Sequence, residues 1–316
     1  MAAEYEMSKV FAAEVQQAFE QESSMKFFNM LEMAKGGNKY IKRYAESIGE
    51  IEMMEVISPQ LAEFHVEQGM VQLPVFPVRV KITEEEYDTY IANGAMPANL
   101  GAAGVDLARA IERRMWQGPP ATGPGSEMLT KFYGINDVGT GNGTPSRPLT
   151  CDGGASAEDW EDTGMVDQDI GALMAALESK GFKPPYGFFY PIAASGTFRY
   201  PYKPSTTSVD GSILKHIASD PDIAFVFGVG DDSNGYCLMT GAAETTSSAQ
   251  IFMLSMKDFV VVYNQGMEWK LWYSDKDLCW FLDGKFRGVI FPIAKKASDG
   301  KWYKGMSEID TIDLKD

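Results

Sequence analysis

The stretch from Pro97 to Pro120 constrains the fold more than any other part of the chain. Leu100, Ala103, Leu107, Ile111 and Met115 recur every three or four residues, the repeat of one helical face. Pro97 stands where a first turn tolerates proline, and Gly118-Pro119-Pro120 ends the run. About 20 residues at 1.5 Å rise predict a rod of roughly 30 Å, whose apolar stripe other elements must cover. The opposite side carries Asp106, Arg109, Glu112, Arg113 and Arg114, which reads as a solvated or subunit-facing surface.

Upstream, residues 3–22 place Met7, Val10, Phe11, Val15 and Phe19 at helical spacing among glutamates and glutamines. An isolated helix of this length is marginal in water, so its apolar face needs the body of the chain or a neighbouring subunit. The apolar cluster Phe27, Phe28, Met30, Leu31 and Met33 continues to a helix-stopping Gly36-Gly37 pair. Residues 53–57 and 75–82 are strand-like and suggest a long hairpin with a polar middle. Pro74 and Pro77 put the second strand at an edge, or let it pair only beyond Pro77.

Residues 118–165, rich in glycine, proline, threonine and acids, read as a loop or domain junction with no ordered core element. Beyond them, 169–180 predicts a helix stopped by Gly181, 184–190 the entry to a buried strand, 212–218 a short helix and 223–227 an interior strand. The last third is mostly β, with strand-length runs at 259–263, 267–273, 278–282 and 286–293. Asp283-Gly284 stands there as a hairpin turn. The whole is an α+β pattern.

Composition narrows the chemistry. The 316 residues carry 28 Lys and Arg against 44 Asp and Glu, a net charge of −16, which disfavours a dedicated duplex-DNA reader or an anionic lipid surface. Only His65 and His216 offer an imidazole. Cys151, Cys237 and Cys279 lack paired spacing, so they read as buried free thiols. The start lacks the pattern of a secretory signal and no run approaches a membrane span, so a cytoplasmic origin without membrane insertion is expected.

Catalytic and cofactor motifs fail one by one. Gly139-Thr140-Gly141-Asn142-Gly143 has no Walker lysine, and Pro145 follows closely. Gly228-Val229-Gly230 is followed by Asp231 and Asp232, which repel phosphate. The loop from Asp231 has Ala242 where a calcium loop needs a bidentate glutamate. The acids at 152, 158, 159, 161, 162, 167 and 169 have no apolar frame to raise one pKa. Ser195, in Ala193-Ala194-Ser195-Gly196-Thr197, lacks the glycine of a nucleophile elbow. No catalytic residue, cofactor-binding residue or metal ligand is expected, and the chain reads as a non-enzyme.

The order of these elements resembles the shell proteins of tailed phages and encapsulins, the Hong Kong 97 type of capsid fold. The resemblance rests on the amphipathic N-terminal segment, the hairpin ending in Pro77-Val78-Arg79-Val80-Lys81-Ile82-Thr83, and the helix from Ala102 to Gly118. It also rests on the junction Gly181-Phe182-Lys183-Pro184-Pro185-Tyr186-Gly187 and the closing strands from Phe259 to Ile293. It covers roughly residues 40–297. The 118–165 loop and the tail 301–316 depart from it.

The resemblance implies an N-terminal arm (1–48), an E-loop hairpin (49–83), a peripheral domain with a long spine helix and a loop insertion (84–181), a mixed α/β axial domain (182–257), and return strands with a tail (258–316). It implies a structural protein that self-assembles, as hexamers and pentamers, into an icosahedral capsid around double-stranded genomic DNA without sequence-specific contacts. Capsid accessory proteins are further expected partners, and the location is then the virion, assembled in host cytoplasm. The alternatives are an encapsulin nanocompartment in the cytoplasm enclosing a cargo enzyme and, from another class, a soluble α/β hydrolase using Ser195, His216 and an aspartate. Phe11, Val15, Phe19, Val78, Val80, Leu107, Ile111 and Met115 are the residues expected to support assembly.

Overall fold

A computed structural model describes residues 2–32, 39–46, 65–120, 134–136, 143–144, 148–153, 160, 165–202, 211–244, 249–263 and 268–312. The long helix is α3 (Asn99–Gln117), reached through α1 (Ala2–Glu22) and α2 (Glu84–Asn93). It ends at Gly118, whose φ of 75° only glycine adopts cheaply. Its predicted stripe is real: Leu100, Leu107, Ile111 and Met115 are all buried. Its polar side is not uniformly solvated. Glu112 is 3% exposed and takes a hydrogen bond from Ser24 Oγ, while Arg113 pairs with Asp232.

The apolar face of α1 is covered by the same chain. Phe11 and Val15 lie in a cluster with Leu100 of α3, Val80 and Ile82 of β4 (Val75–Thr83) and Leu282 of β11 (Cys279–Pro292). Gly104 lets the two helices approach: a Cβ there would stand 2.3 Å from the Val15 carbonyl oxygen. The cluster from Phe27 onward is a strand rather than a helix. A 3-10 turn (Ser24–Phe27) leads into β1 (Asn29–Glu32), parallel to β9 (Phe259–Tyr263). Phe27 stacks on Phe225 and Phe28 on Phe189, and consecutive aromatic anchors both turned inward defeat helical spacing.

A two-stranded hairpin, β2 (Lys39–Glu46) with β3 (His65–Gln72), replaces the pairing expected of 53–57 with 75–82. Residues 53–57 lie outside the described ones. Residues 75–83 form β4, which pairs with β11 along nine positions from Thr83 to Val75. Among the described residues that is its only partner, so it is an edge strand, as Pro77 requires. It runs straight into α2 through a capping box of Thr83 and Glu86.

The first sheet has the order β1-β9-β11-β10, with β4 also on β11 and β10 spanning Glu268–Ser274. No turn forms at Asp283-Gly284, because β11 passes through both residues as one strand of 14. Asp283 is held in line by Arg79 on β4 and the Trp272 indole on β10, and Gly284 leaves room for the Trp269 ring. The reversal lies between β10 and β11, where Asp277 meets Ser274 and Leu278 takes a φ of 46°.

The second sheet has the order β12-β13-β8-β6-β7, with β5 (Leu149–Asp152) parallel to β13 (Trp302–Ile312). Here β6 is Tyr186–Pro191, β7 Ile223–Val229, β8 Ala249–Ser255 and β12 Lys295–Lys296. Two expectations reverse. The 118–165 stretch does hold ordered elements, for β5 carries buried Cys151 and Trp160 is also buried. Within the stretch that departs from the resemblance at the C-terminal end, β13 sits between β12 and β8. The 223–227 strand is real but pairs only with β6 among the described residues, an edge rather than an interior position. The strongly apolar β6 and β8 face two cores. Phe188 and Met253 meet α4 (Met165–Ser179), Phe198 of α5 (Ser195–Phe198) and Ile217 of α6 (Ile213–Ala218), while Phe189 and Phe252 meet Trp116 and Ile111 of α3.

Candidate assembly surfaces

The predicted assembly residues fall in the chain's own interior. Phe11, Val15, Phe19, Val80, Leu107, Ile111 and Met115 are at most 8% exposed, and Val78 is half-buried. Phe19, Leu107, Ile111 and Met115 share a core with Trp116, Phe286 and Ile290, and the other four share one with Leu100, Tyr87 and Leu282.

The surfaces left for a neighbour lie elsewhere. In the three-stranded patch of β4, β11 and β10, alternate side chains pack toward α1, and the others face away. The outward set is Lys81, Phe281 and Trp272 in one row and Arg79, Asp283 and Lys270 in the next. The Arg79 guanidinium makes a two-pronged contact with Asp283 at 2.6 and 2.9 Å and lies 5.4–5.5 Å over the rings of Phe281 and Trp272. That hydrogen bond from Arg79 holds the Asp283 carboxyl below the usual carboxylate range. Sequence reading missed this cluster, because it took Asp283-Gly284 for a turn. Alternation of Arg79 and Lys81 with Val78 and Val80 was the signal.

A groove of about 600 Å³ lies between the end of α1 and the first sheet, lined by Phe19, Met25, Met30, Tyr263 and Phe286 among others. Met30 and Leu31 of β1 are 50% and 43% exposed beside it.

The hydrolase residues do not assemble. His216 Nε2 meets Asp167 Oδ1 at 2.6 Å, its ring stacks on Tyr202, and the Tyr202 hydroxyl donates to the other Asp167 oxygen. Burial opposes ionisation of Asp167, but these two hydrogen bonds and the His216 charge hold its pKa below the ordinary value. Ser195 makes no hydrogen bond to His216 among the described residues, so the histidine ties α6 to α4 without a nucleophile. Burial pushes the Cys151 thiol up to about 12 and the Cys237 thiol up to about 11, the opposite of an activated cysteine. Among the described residues no three His, Cys, Asp or Glu side chains are grouped to hold a metal ion, and no helix is long and apolar enough to cross a membrane.

No protein-family model and no curated sequence matches the chain. Solved structures do. A virus-like particle from Pyrococcus furiosus superposes with a TM-score of 0.57 at 9% identity, over 95% of this chain and 98% of that one. The capsid of Myoviridae phage XM1 gives a TM-score of 0.58 at 10% identity, over 93% and 91%. The capsid of a native gene transfer agent particle gives 0.55 at 11%, over 93% and 90%. The chain has the Hong Kong 97 capsid fold. Within that fold the match spans nearly the whole length of both partners. At about one identity in ten, the shared Hong Kong 97 architecture rests on the order and packing of elements rather than on shared residues.

Proposed function

We propose that the protein is a structural shell subunit that self-assembles into a closed icosahedral viral capsid enclosing double-stranded DNA. The observation that carries this reading is the near end-to-end likeness to capsids in both directions of coverage. In this reading α3 is the spine helix and β2–β3 the base of the extended loop that lies across a neighbour. The sequence between those strands, 47–64, holds four glutamates and no lysine or arginine. The outward face of β4, β11 and β10 sets Lys81, Arg79 and Lys270 against the single acid Asp283, a charge opposite to that of the loop. Repetition of one contact between copies around a rotation axis closes a ring and then a shell. The virion is the corresponding location, with hexamers and pentamers as the building units.

The test is to express the chain alone and image it by negative-stain electron microscopy, with the 260/280 nm absorbance ratio measured on the same particles. Closed shells are expected. Small shells of a single size without nucleic acid would move the reading to an encapsulin with a protein cargo. A monomer that stays unassembled even with the accessory proteins of its own genome would sink it.

A further inference from the structure

Glu112 is the most deeply buried acid of the described residues. It projects from the middle of α3 toward the turn that joins α1 to β1, and accepts a hydrogen bond from Ser24 Oγ. Ser23, Ser24, Met25 and Phe28 of that turn and its exit are all buried, and Glu112 itself is 3% exposed. No cation among the described residues pairs with it. Lys26 of the same turn binds the carbonyls of Glu20 and Gln21 and lies over Phe27 and Phe227. On α3 itself, Arg113 is paired with Asp232, and Arg109 acts on Asp231. The remaining charge that reaches Glu112 is Glu22 at the end of α1, which repels it. A buried carboxylate without a counter-ion is costly, whereas the protonated carboxyl is not.

We infer that Glu112 and Ser24 form a proton-controlled latch that fastens the junction between α1 and β1 to α3, closed while the carboxyl holds its proton and loosened when it loses it. Burial raises the Glu112 pKa from 4.5 to about 7, with the Ser24 hydrogen bonds and the Trp116 indole one turn along α3 opposing the rise. The sign follows. The closed state binds the proton more tightly than an opened one, so closure is strongest below pH 4.5 and weakens as pH climbs toward 7, beyond which it levels off. This goes beyond a shell role, since it concerns the subunit whether or not it is assembled.

Hydrogen exchange by mass spectrometry on the full chain at pH 5 and 7.5, corrected for intrinsic exchange, reads the opening directly. In peptides covering residues 15–32, protection relative to the second sheet should fall roughly 50-fold across that interval. Glu112→Gln should abolish the fall and hold high protection at both pH values. Should that variant not fold, Ser24→Ala serves: it removes a bond that favours the charged form, so the loosening should level off at a higher pH and the fall between pH 5 and 7.5 should exceed that of wild type. A pH-independent wild type, or a Gln variant with the same dependence, or an unmoved Ala variant, overturns the latch. None of these results depends on whether shells form.

Discussion

The crossing of α1 over α3 can be tested with one substitution made at two places on the same helix. At Gly104 an added Cβ would stand 2.3 Å from the Val15 carbonyl oxygen, 2.8 Å from Ala18 Cβ and 3.1 Å from the Phe19 nitrogen. Two of these are backbone atoms, so α1 must retreat by about 1 Å to restore contact distance. Overpacking of this kind costs about 1–3 kcal/mol. Removing a glycine from a helix returns about 1 kcal/mol, so Gly104→Ala should lose about 0–2 kcal/mol net. At Gly101 nothing lies within 4 Å, and only the gain remains, about 0.5–1 kcal/mol. Urea unfolding of the soluble subunit, followed by the fluorescence of its tryptophans, Trp116, Trp160 and Trp302 among the buried ones, compares the midpoints. If Gly104→Ala unfolded at the same urea concentration as Gly101→Ala or a higher one, the close approach of α1 to α3 would be wrong.

Two further outcomes follow from burial. Leu107→Glu with Ile111→Glu puts two carboxylates where wild type is 4% and 1% exposed, each at a cost of several kcal/mol, so soluble subunit and particles should both disappear. Normal particle yield by electron microscopy would refute the placement of this face. Cys151 and Cys237, whose thiols burial holds near 12 and 11, should resist a thiol reagent at pH 8 in the folded protein and react fully in denaturant. Rapid labelling without denaturant would contradict their burial.

How far the sequence could be read depended on whether a residue's neighbours lay nearby in the chain. The stripe of α3 and its glycine stop were legible, because spacing along one helix and a single left-handed residue are local facts. The β6 run announced a buried strand for the same reason. Asp283-Gly284 misled, because the partners that straighten it come from Arg79 and Trp272 on two other strands. Cys151 and Trp160 were hidden in a glycine-rich stretch, since what buries them is the second sheet and α4. Glu112 looked solvated on a helical wheel, and only the return of the chain at Ser24 covers it. Of the surfaces, the exposed Arg79 row was visible as alternation but not as a cluster, because register across strands is not written in any one of them.

The ladder between β4 and β11 also has a mechanical meaning. The hairpin strand β3 ends at Gln72 and β4 begins at Val75, so a pull on the hairpin reaches the body along the axis of β4. The bonds of an antiparallel pair lie across that axis, and all nine paired positions then share the load in shear instead of parting one at a time. A tether anchored this way resists tension far better than it resists peeling. Swelling or squeezing of any assembly that grips the hairpin would be transmitted to α2 and α3 before β4 came free.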